Sequence, residues 1–128
     1  MNKFMKIPVH TFTIDGESYD LVYDMRAKSF FTSILTKNDI DKSDSIGQLC
    51  AMFVACVNSA AKREKNADKL IDFDDVMCSN WDYAQLKEVI TDIQKAAYYT
   101  EHTNKDPNDL YADEEADNEP KNVVMGVD

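Results

Sequence analysis

Alternating apolar and polar residues open the chain in two short runs, residues 9–14 and 17–23. Asp15-Gly16 stands between them, and this dipeptide favours a type I′ turn because both central residues of that turn need positive φ. The pattern therefore predicts a β-hairpin. Its apolar face is expected to consist of Phe12, Ile14, Tyr19, Leu21 and Tyr23. Another element must pack against that face, since a lone hairpin is only marginally stable in water.

Apolar residues recur at helical spacing directly after the hairpin. Asp24 is a candidate N-cap, since its carboxylate can accept hydrogen bonds from the free N–H groups of a first turn. The helix that it begins is expected to end near Asn38. The predicted buried stripe of this helix is Ala27, Phe30, Phe31, Ile34 and Leu35.

A second helix is predicted beyond the polar linker 37–43. Ser45 followed three residues later by Gln48 fits a capping box, and the cations of segment 62–65 suit the negative end of the helix dipole. The predicted stripe is Ile46, Leu49, Phe53, Cys56, Val57 and Ala60.

Two more helices follow in the pattern. Asp72 with Asp75 predicts a short helix over 73–78, and Asp82 with Gln85 predicts a helix that runs to about Thr100. The stripe of the last helix is Leu86, Val89, Ile90, Ile93 and Ala97. The sequence thus predicts an α+β fold, an N-terminal β-hairpin packed on a small, mostly α-helical bundle over residues 1–103.

The remaining residues, 104–128, lose this periodicity and contain two prolines and many carboxylates. We expect a disordered acidic tail, because such a segment cannot bury enough surface to offset the entropy of ordering it.

Of the formal net charge of −10, residues 1–100 contribute −3, from 15 acidic and 12 basic side chains. Residues 101–128 contribute −7, from 9 acidic and 2 basic side chains. With no basic stripe to attract phosphates or anionic lipids, binding to nucleic acid or membranes is not expected.

The three cysteines, Cys50, Cys56 and Cys78, form no C-x-x-C pair, and neither His10 nor His102 lies near one of them in sequence. Zinc sites need closely spaced ligands, so we expect no zinc site and interpret the cysteines as buried free thiols in a reducing compartment.

The start of the chain has no apolar signal-peptide core, and no run approaches the ~20 apolar residues of a membrane span. A cytoplasmic protein, neither exported nor inserted in a membrane, is expected.

Motifs of common enzyme sites are absent from the sequence, including the nucleophile elbow, the HExxH zinc motif and the glycine-rich phosphate loops. His10 is expected in a strand beside Leu21, and His102 at the edge of the tail. Neither has a serine or cysteine at a spacing that indicates a catalytic pair, so packing or surface roles are the simpler interpretation. We expect no catalytic, cofactor or metal site.

Acidic residues cluster in two places. The aspartates of segment 72–75 lack the glycine and the closing glutamate of a calcium loop, so helix capping explains them better. The acidic run 113–117 is interpreted as solvated charge.

Trp81 and the pair Tyr98-Tyr99 stand at helix ends, where aromatics either complete a core or anchor a protein interface. Core packing is favoured for Trp81, and both interpretations stay open for Tyr99.

Residues 14–27, IDGESYDLVYDMRA, resemble the opening of the tail assembly chaperones of long-tailed bacteriophages. Members of that family begin with a strand, an Asp-Gly turn, a Tyr-x-Leu-x-Tyr or Phe strand, and a helix entered through Met or Thr-x-Ala. Residues 46–60 are similar to the central helix of the family. Residues 73–76 and 86–97 resemble its short acidic-capped helix and its final helix. The resemblance covers about residues 12–97.

This resemblance implies a non-enzymatic factor that binds the long, helical, apolar tape measure protein before the tail tube polymerises around it. It implies self-association or many copies along one client, action in the host cytoplasm, and absence from the mature virion. Many members of the family also occur in a longer form made by programmed frameshifting, whose extension recruits the major tail protein.

An acidic inhibitor or DNA mimic that binds a basic host nucleic-acid-binding protein is the alternative. Mimicry needs carboxylates on a rigid surface, whereas most of the acidic excess here falls within the predicted tail. A small acidic domain with apolar stripes suits a protein that shields hydrophobic helices, because its charge keeps the complex dissolved. We therefore expect a binding protein, with chaperone function favoured over mimicry.

Overall fold

A computed structural model of the chain describes residues 6–103, with side chains for residues 6–100. The elements in chain order are β1 (His10–Ile14), β2 (Glu17–Leu21), α1 (Met25–Lys37), α2 (Ser45–Arg63), a 3-10 turn (Ala67–Lys69), α3 (Phe73–Met77) and α4 (Tyr83–Thr103). The predicted α+β architecture, a hairpin on a helical bundle, is confirmed. The predicted acidic tail, residues 104–128, lies outside the described residues.

The hairpin forms in the predicted register, which pairs His10 with Leu21, Phe12 with Tyr19 and Ile14 with Glu17. Asp15 and Gly16 have φ of 53° and 80°, the two positive values that the predicted type I′ turn requires. Threonines on the opposite face are exposed to solvent. Local chemistry therefore determines both the turn and the face that the hairpin buries.

Both sides of the chain are buried where the hairpin ends. Leu21 and Val22 are consecutive, yet both are fully buried. Leu21 joins the main core cluster, and Val22 joins a smaller cluster with Ile7, Ala60 and Ala97. The Val22 N–H also donates to the Cys56 carbonyl at 3.2 Å. The chain thus leaves the sheet after Leu21 and runs across α2, which ends β2 two residues earlier than predicted.

α2 is the central helix of the fold. Apart from the pairing within the hairpin, every principal contact between elements of the described chain involves α2. Twelve of its nineteen residues are buried, so burial extends well beyond the predicted stripe, which is confirmed apart from Ile46. A helix that is apolar around most of its circumference is enclosed by its neighbours, and its many small residues allow those neighbours to approach closely.

The start of α2 also differs from the prediction. Asp44 is the N-cap, and its Oδ1 accepts a hydrogen bond from the Gly47 N–H at 2.8 Å. Ser45 is the first helical residue, so the predicted capping box of Ser45 and Gln48 was wrong. The Gln48 side chain instead donates to the carbonyls of the preceding loop. A carboxylate is the stronger acceptor at the positive end of a helix dipole, and Asp44 was available one residue earlier.

The other helices agree closely with the sequence. Asp24 Oδ1 accepts from the Ala27 N–H at 2.9 Å, as predicted for the N-cap of α1, and Asn38 is the C-cap. The short helix α3 lies where the aspartates predict it. α4 begins after Asp82, which accepts from the Ala84 N–H at 3.2 Å, and continues three residues beyond Thr100.

Lysine occupies a position at the end of α2 that favours glycine. The Asn66 N–H donates to the Ala61 carbonyl and the Lys65 N–H to the Lys62 carbonyl, both at 3.0 Å, which together form a Schellman motif. Lys65 has φ of 58°. Lys65→Gly is expected to raise the free energy of unfolding by about 0.5–1 kcal/mol, because glycine has no Cβ to crowd the left-handed conformation.

Urea denaturation measures this gain as a higher midpoint at constant m-value. Lys62→Gly is the matched control, since Lys62 is an exposed residue in the helical last turn of α2. There the same change is expected to cost about 1 kcal/mol. Equal losses for both variants would contradict the argument.

Candidate binding surface

Four aromatic rings meet where the hairpin contacts α2. Phe53 packs edge-on against Trp81, Tyr19 and Phe12, with ring centroids 5.3, 5.6 and 6.1 Å apart. Tyr19 and Trp81 are also edge-on, at 5.5 Å. Such pairs contribute beyond their buried area. The predicted core role of Trp81 is confirmed, although one side of this residue remains accessible.

That accessible side of Trp81 belongs to a shallow depression of about 100 Å3, the apolar groove. It lies between the first turns of α2, the end of α3 and the start of α4. Its lining consists of Ile46, Cys50, Val76, Met77, Ser79, Trp81, Tyr83 and Leu86. Of the described residues, none that lines the groove is charged.

The rim of the apolar groove is the least covered part of its lining. Ile46 is 55%, Met77 41% and Tyr83 39% exposed. Seven large hydrophobic residues with described side chains are 39% or more exposed, and these are three of them. The prediction that Ile46 belongs to a buried stripe was wrong, because its side of the first turn of α2 faces this open depression and not a packed element. Clustered exposed apolar side chains characterise interaction sites more than scattered ones do.

Three helix-capping carboxylates lie within two residues of the groove lining along the chain, and they are called the border of the groove. Asp44 is two residues from Ile46, Asp75 directly precedes Val76, and Asp82 directly precedes Tyr83. All three are exposed, and each accepts a hydrogen bond from a backbone N–H at a helix start. These bonds hold the carboxylates in place. Lys87, which follows Leu86, is an exposed cation of the same neighbourhood, so the border carries an excess of negative charge.

A second apolar surface lies along α1. Of its predicted stripe only Ala27 is fully buried. Phe31 and Ile34 are half-buried against the main core, whereas Phe30 and Leu35 are half-buried but, within the described part of the chain, belong to neither core cluster. The predicted stripe is confirmed as packed against the core at Ala27, Phe31 and Ile34, and it is only half-buried at Phe30 and Leu35. It is covered less completely than the stripes of α2 and α4.

Three side-chain hydrogen bonds join distant parts of the chain. Asp24 Oδ1 accepts from Ser59 Oγ at 2.6 Å, and Asp24 Oδ2 accepts from an Arg63 nitrogen at 3.0 Å. Arg63 also donates to the Ile7 carbonyl at 2.6 Å. Burial alone would raise the pKa of Asp24, but the bonds from Ser59, the Ala27 N–H and Arg63, with the charge of Arg63, lower it overall. From the sequence, Arg63 was predicted only to interact favourably with the negative end of the α2 dipole.

The two buried thiols, Cys50 and Cys56, show no feature of a nucleophile. Burial raises the pKa of Cys56 far above its ordinary value, and burial, followed by the nearby Asp44, raises the pKa of Cys50. Both remain protonated at neutral pH, and a thiol attacks only as the thiolate. Cys78 is exposed, so its predicted burial was wrong. It is the C-cap of α3, where the chain turns at the surface.

His10 is partly buried beside Leu21, as the register predicts. Burial lowers its pKa, and the charge of Asp92 on α4 acts in the opposite direction. Its Nε2 is buried with no hydrogen-bond partner among the described residues. A neutral imidazole, partly buried beside Leu21, accounts for these observations. His102 lies in the last turn of α4, and its side chain is outside the described residues.

A further depression, of about 330 Å3, lies between β2, α2 and the 3-10 turn. Its lysine, Lys69, places Nζ 2.9 Å from Glu64 Oε1 and 3.6 Å from Asp20 Oδ2. Two carboxylates of the chain itself therefore already pair with this cation. Exposed pairs of this kind contribute little stability, and they leave no unpaired positive charge for an anionic ligand.

Within residues 6–103, no group of three or more His, Cys, Asp or Glu side chains is placed to hold a metal ion. The aspartates of segment 72–75 act in capping, since the Asp72 N–H donates to Asp75 Oδ2 at 3.3 Å. None of the described helices combines the length and apolar character that a bilayer span requires. The acidic run 113–117 lies outside the described residues.

Comparison of the chain with family models, curated proteins and solved structures finds no match. The described residues define a small domain with an apolar groove, a carboxylate border and a half-covered apolar face on α1. Function is therefore inferred from these surfaces together with the resemblance of residues 14–27.

Proposed function

We propose that this protein is a tail assembly chaperone of a long-tailed bacteriophage, a non-enzymatic factor that binds the tape measure protein and keeps it soluble during tail assembly. The observation that carries the proposal is the motif of residues 14–27. Those residues form the I′ turn, β2 and the Asp24-capped start of α1, in the order that the chaperone family uses.

Exposed apolar surface supports the same proposal. A long apolar helix aggregates through its hydrophobic face, and a chaperone prevents this by covering that face with an apolar surface of its own. The apolar groove and the half-covered face of α1 offer such surface on the described part of the chain. The net charge of −10 then helps to keep the complex dissolved.

The proposal includes the working context of such a chaperone. Several copies bind along one tape measure protein in the host cytoplasm and leave before the virion is complete. A longer frameshifted form adds the link to the major tail protein. Self-association of the copies along the client follows from the same arrangement.

Co-expression with the tape measure protein of the same phage tests the proposal. We expect the tape measure protein to move from the pellet to the soluble fraction and to coelute with this chain in size-exclusion chromatography. Expression of the tape measure protein alone is the control. If it stays equally insoluble in both cases and no complex elutes, the proposed function is wrong.

Removal of residues 104–128 separates this function from DNA mimicry. These residues carry most of the acidic excess. Chaperone binding through apolar surfaces should largely survive their removal, provided that circular dichroism shows a folded domain. Binding driven by mimicry of nucleic acid should be lost, because its electrostatic attraction falls with the charge.

A further inference from the structure

The size of the apolar groove limits what it can bind. Drug-sized molecules occupy pockets of roughly 300–1,000 Å3. The groove measures about 100 Å3, which suits one large side chain that projects from a polypeptide. Its lining also has the composition of a protein interface, with a tryptophan, a tyrosine and a methionine whose flexible side chain adapts to different shapes.

The charge around the groove limits the occupant further. Asp44, Asp75 and Asp82 lie within two residues of its lining along the chain and are fixed by bonds to backbone N–H groups, and Asp74 adds a fourth exposed carboxylate on α3. Lys87 offsets one of these charges. An occupant that carries cations beside its apolar residue would gain from this border, whereas an anionic occupant would be repelled.

We propose that the apolar groove binds an amphipathic segment of another polypeptide whose large apolar side chain is flanked by lysine or arginine. The apolar side chain enters between Ile46, Met77 and Tyr83 and contacts Trp81. The flanking cations pair with the carboxylates of the border. This inference deepens the proposed function, on which it rests for the identity of the client, by assigning the surface used and the chemistry of the segment.

The same charge argues against two other occupants. A second copy of this chain also carries a net charge of −10 and would bring like charges to the border, so neighbouring copies along the client would contact each other elsewhere. An anionic lipid surface would be repelled for the same reason. A basic apolar segment is therefore the occupant that both the shape and the charge of the groove favour.

Trp81, the single tryptophan of the chain, allows a direct test because it lines the groove. Two synthetic 18-residue helical peptides without tryptophan would share one leucine stripe, flanked by lysines in the first and by glutamates in the second. Each is titrated into the full-length protein while Trp81 emission is recorded. We expect the lysine peptide to shift the emission and saturate, with weaker binding at higher salt. The glutamate peptide should produce no saturable change.

Two matched variants locate the site. Met77→Gln removes an apolar contact at the rim and is expected to weaken binding of the lysine peptide about tenfold. Met25→Gln makes the same change at a residue that is 76% exposed and outside the groove, and should leave the affinity within about twofold. Both residues are exposed, so both variants should fold.

Three results would overturn the inference. These are equal affinity for the two peptides, an equal effect of the two methionine variants, and binding without a response of Trp81. The outcome is independent of the co-expression experiment. If the lysine peptide binds as expected but the tape measure protein stays insoluble, the groove is a binding site for basic apolar segments and the proposed client is wrong.

Discussion

Phe53→Ala is expected to lower the free energy of unfolding by about 3–5 kcal/mol, as truncations of large buried side chains do. Phe53 is fully buried in the central helix and packs edge-on against rings from both strands and from the α3–α4 connection. Alanine would leave a cavity bordered by three rigid rings. Such rings cannot collapse into the space without leaving their own contacts, so the loss should fall within this range.

Chemical denaturation monitored by circular dichroism measures the loss, and the matched control is Phe30→Ala. Phe30 lies on α1, is half-buried, and belongs to neither core cluster of the described residues. The same substitution there should cost only about 1–2 kcal/mol. Similar costs at the two positions would show that α2 is oriented differently in the core.

Asp24→Ala is expected to cost about 3 kcal/mol, more than the loss of an ordinary N-cap. The cap itself contributes about 1 kcal/mol. The variant also leaves the Ser59 hydroxyl and the Arg63 guanidinium without their carboxylate partner, and partly buried groups in that state cost about 1–3 kcal/mol more. This single side chain therefore links the start of α1 to the last turns of α2.

Asp44→Ala is the control for this variant, since Asp44 also caps a helix but is exposed and accepts from one backbone N–H. Its loss should cost only about 1 kcal/mol in the same urea titration. If the two variants lose equal stability, the bonds from Ser59 and Arg63 contribute nothing measurable.

The pH dependence gives a second measurement of the same contact. The pKa of Asp24 is lower in the folded chain than in the unfolded chain, so the unfolded chain takes up the proton first as the pH falls. The stabilisation is thus complete above the ordinary carboxyl pKa and is lost as the pH falls through the folded value. Asp24→Asn should therefore flatten the acid side of the stability curve.

Elements governed by local chemistry could be predicted from the sequence. The Asp15-Gly16 turn determined the register of the hairpin, and Asp24 marked the start of α1, because each depends on residues within a few positions of itself. The stripe of α4 was predicted for the same reason, since periodicity alone identifies the buried side of a helix that packs on one face.

Features that depend on the arrangement of helices could not be predicted in this way. Ile46 fits the helical spacing of α2, yet it is exposed because no element covers that side of the first turn. The pairing of Arg63 with Asp24 joins residues 39 positions apart, and no local pattern encodes it. The apolar groove combines residues from three helices and a connection, so it exists only once those helices are packed.

The residues that stabilise the fold and the residues that form the rim of the groove are different, and this affects how the protein can evolve. Stability depends chiefly on the enclosed residues of α2, whereas the rim side chains Ile46, Met77 and Tyr83 lie at the surface. Substitutions at the rim can therefore accumulate while the fold persists. Related chains can thus retain one scaffold while the exposed surface of the groove changes.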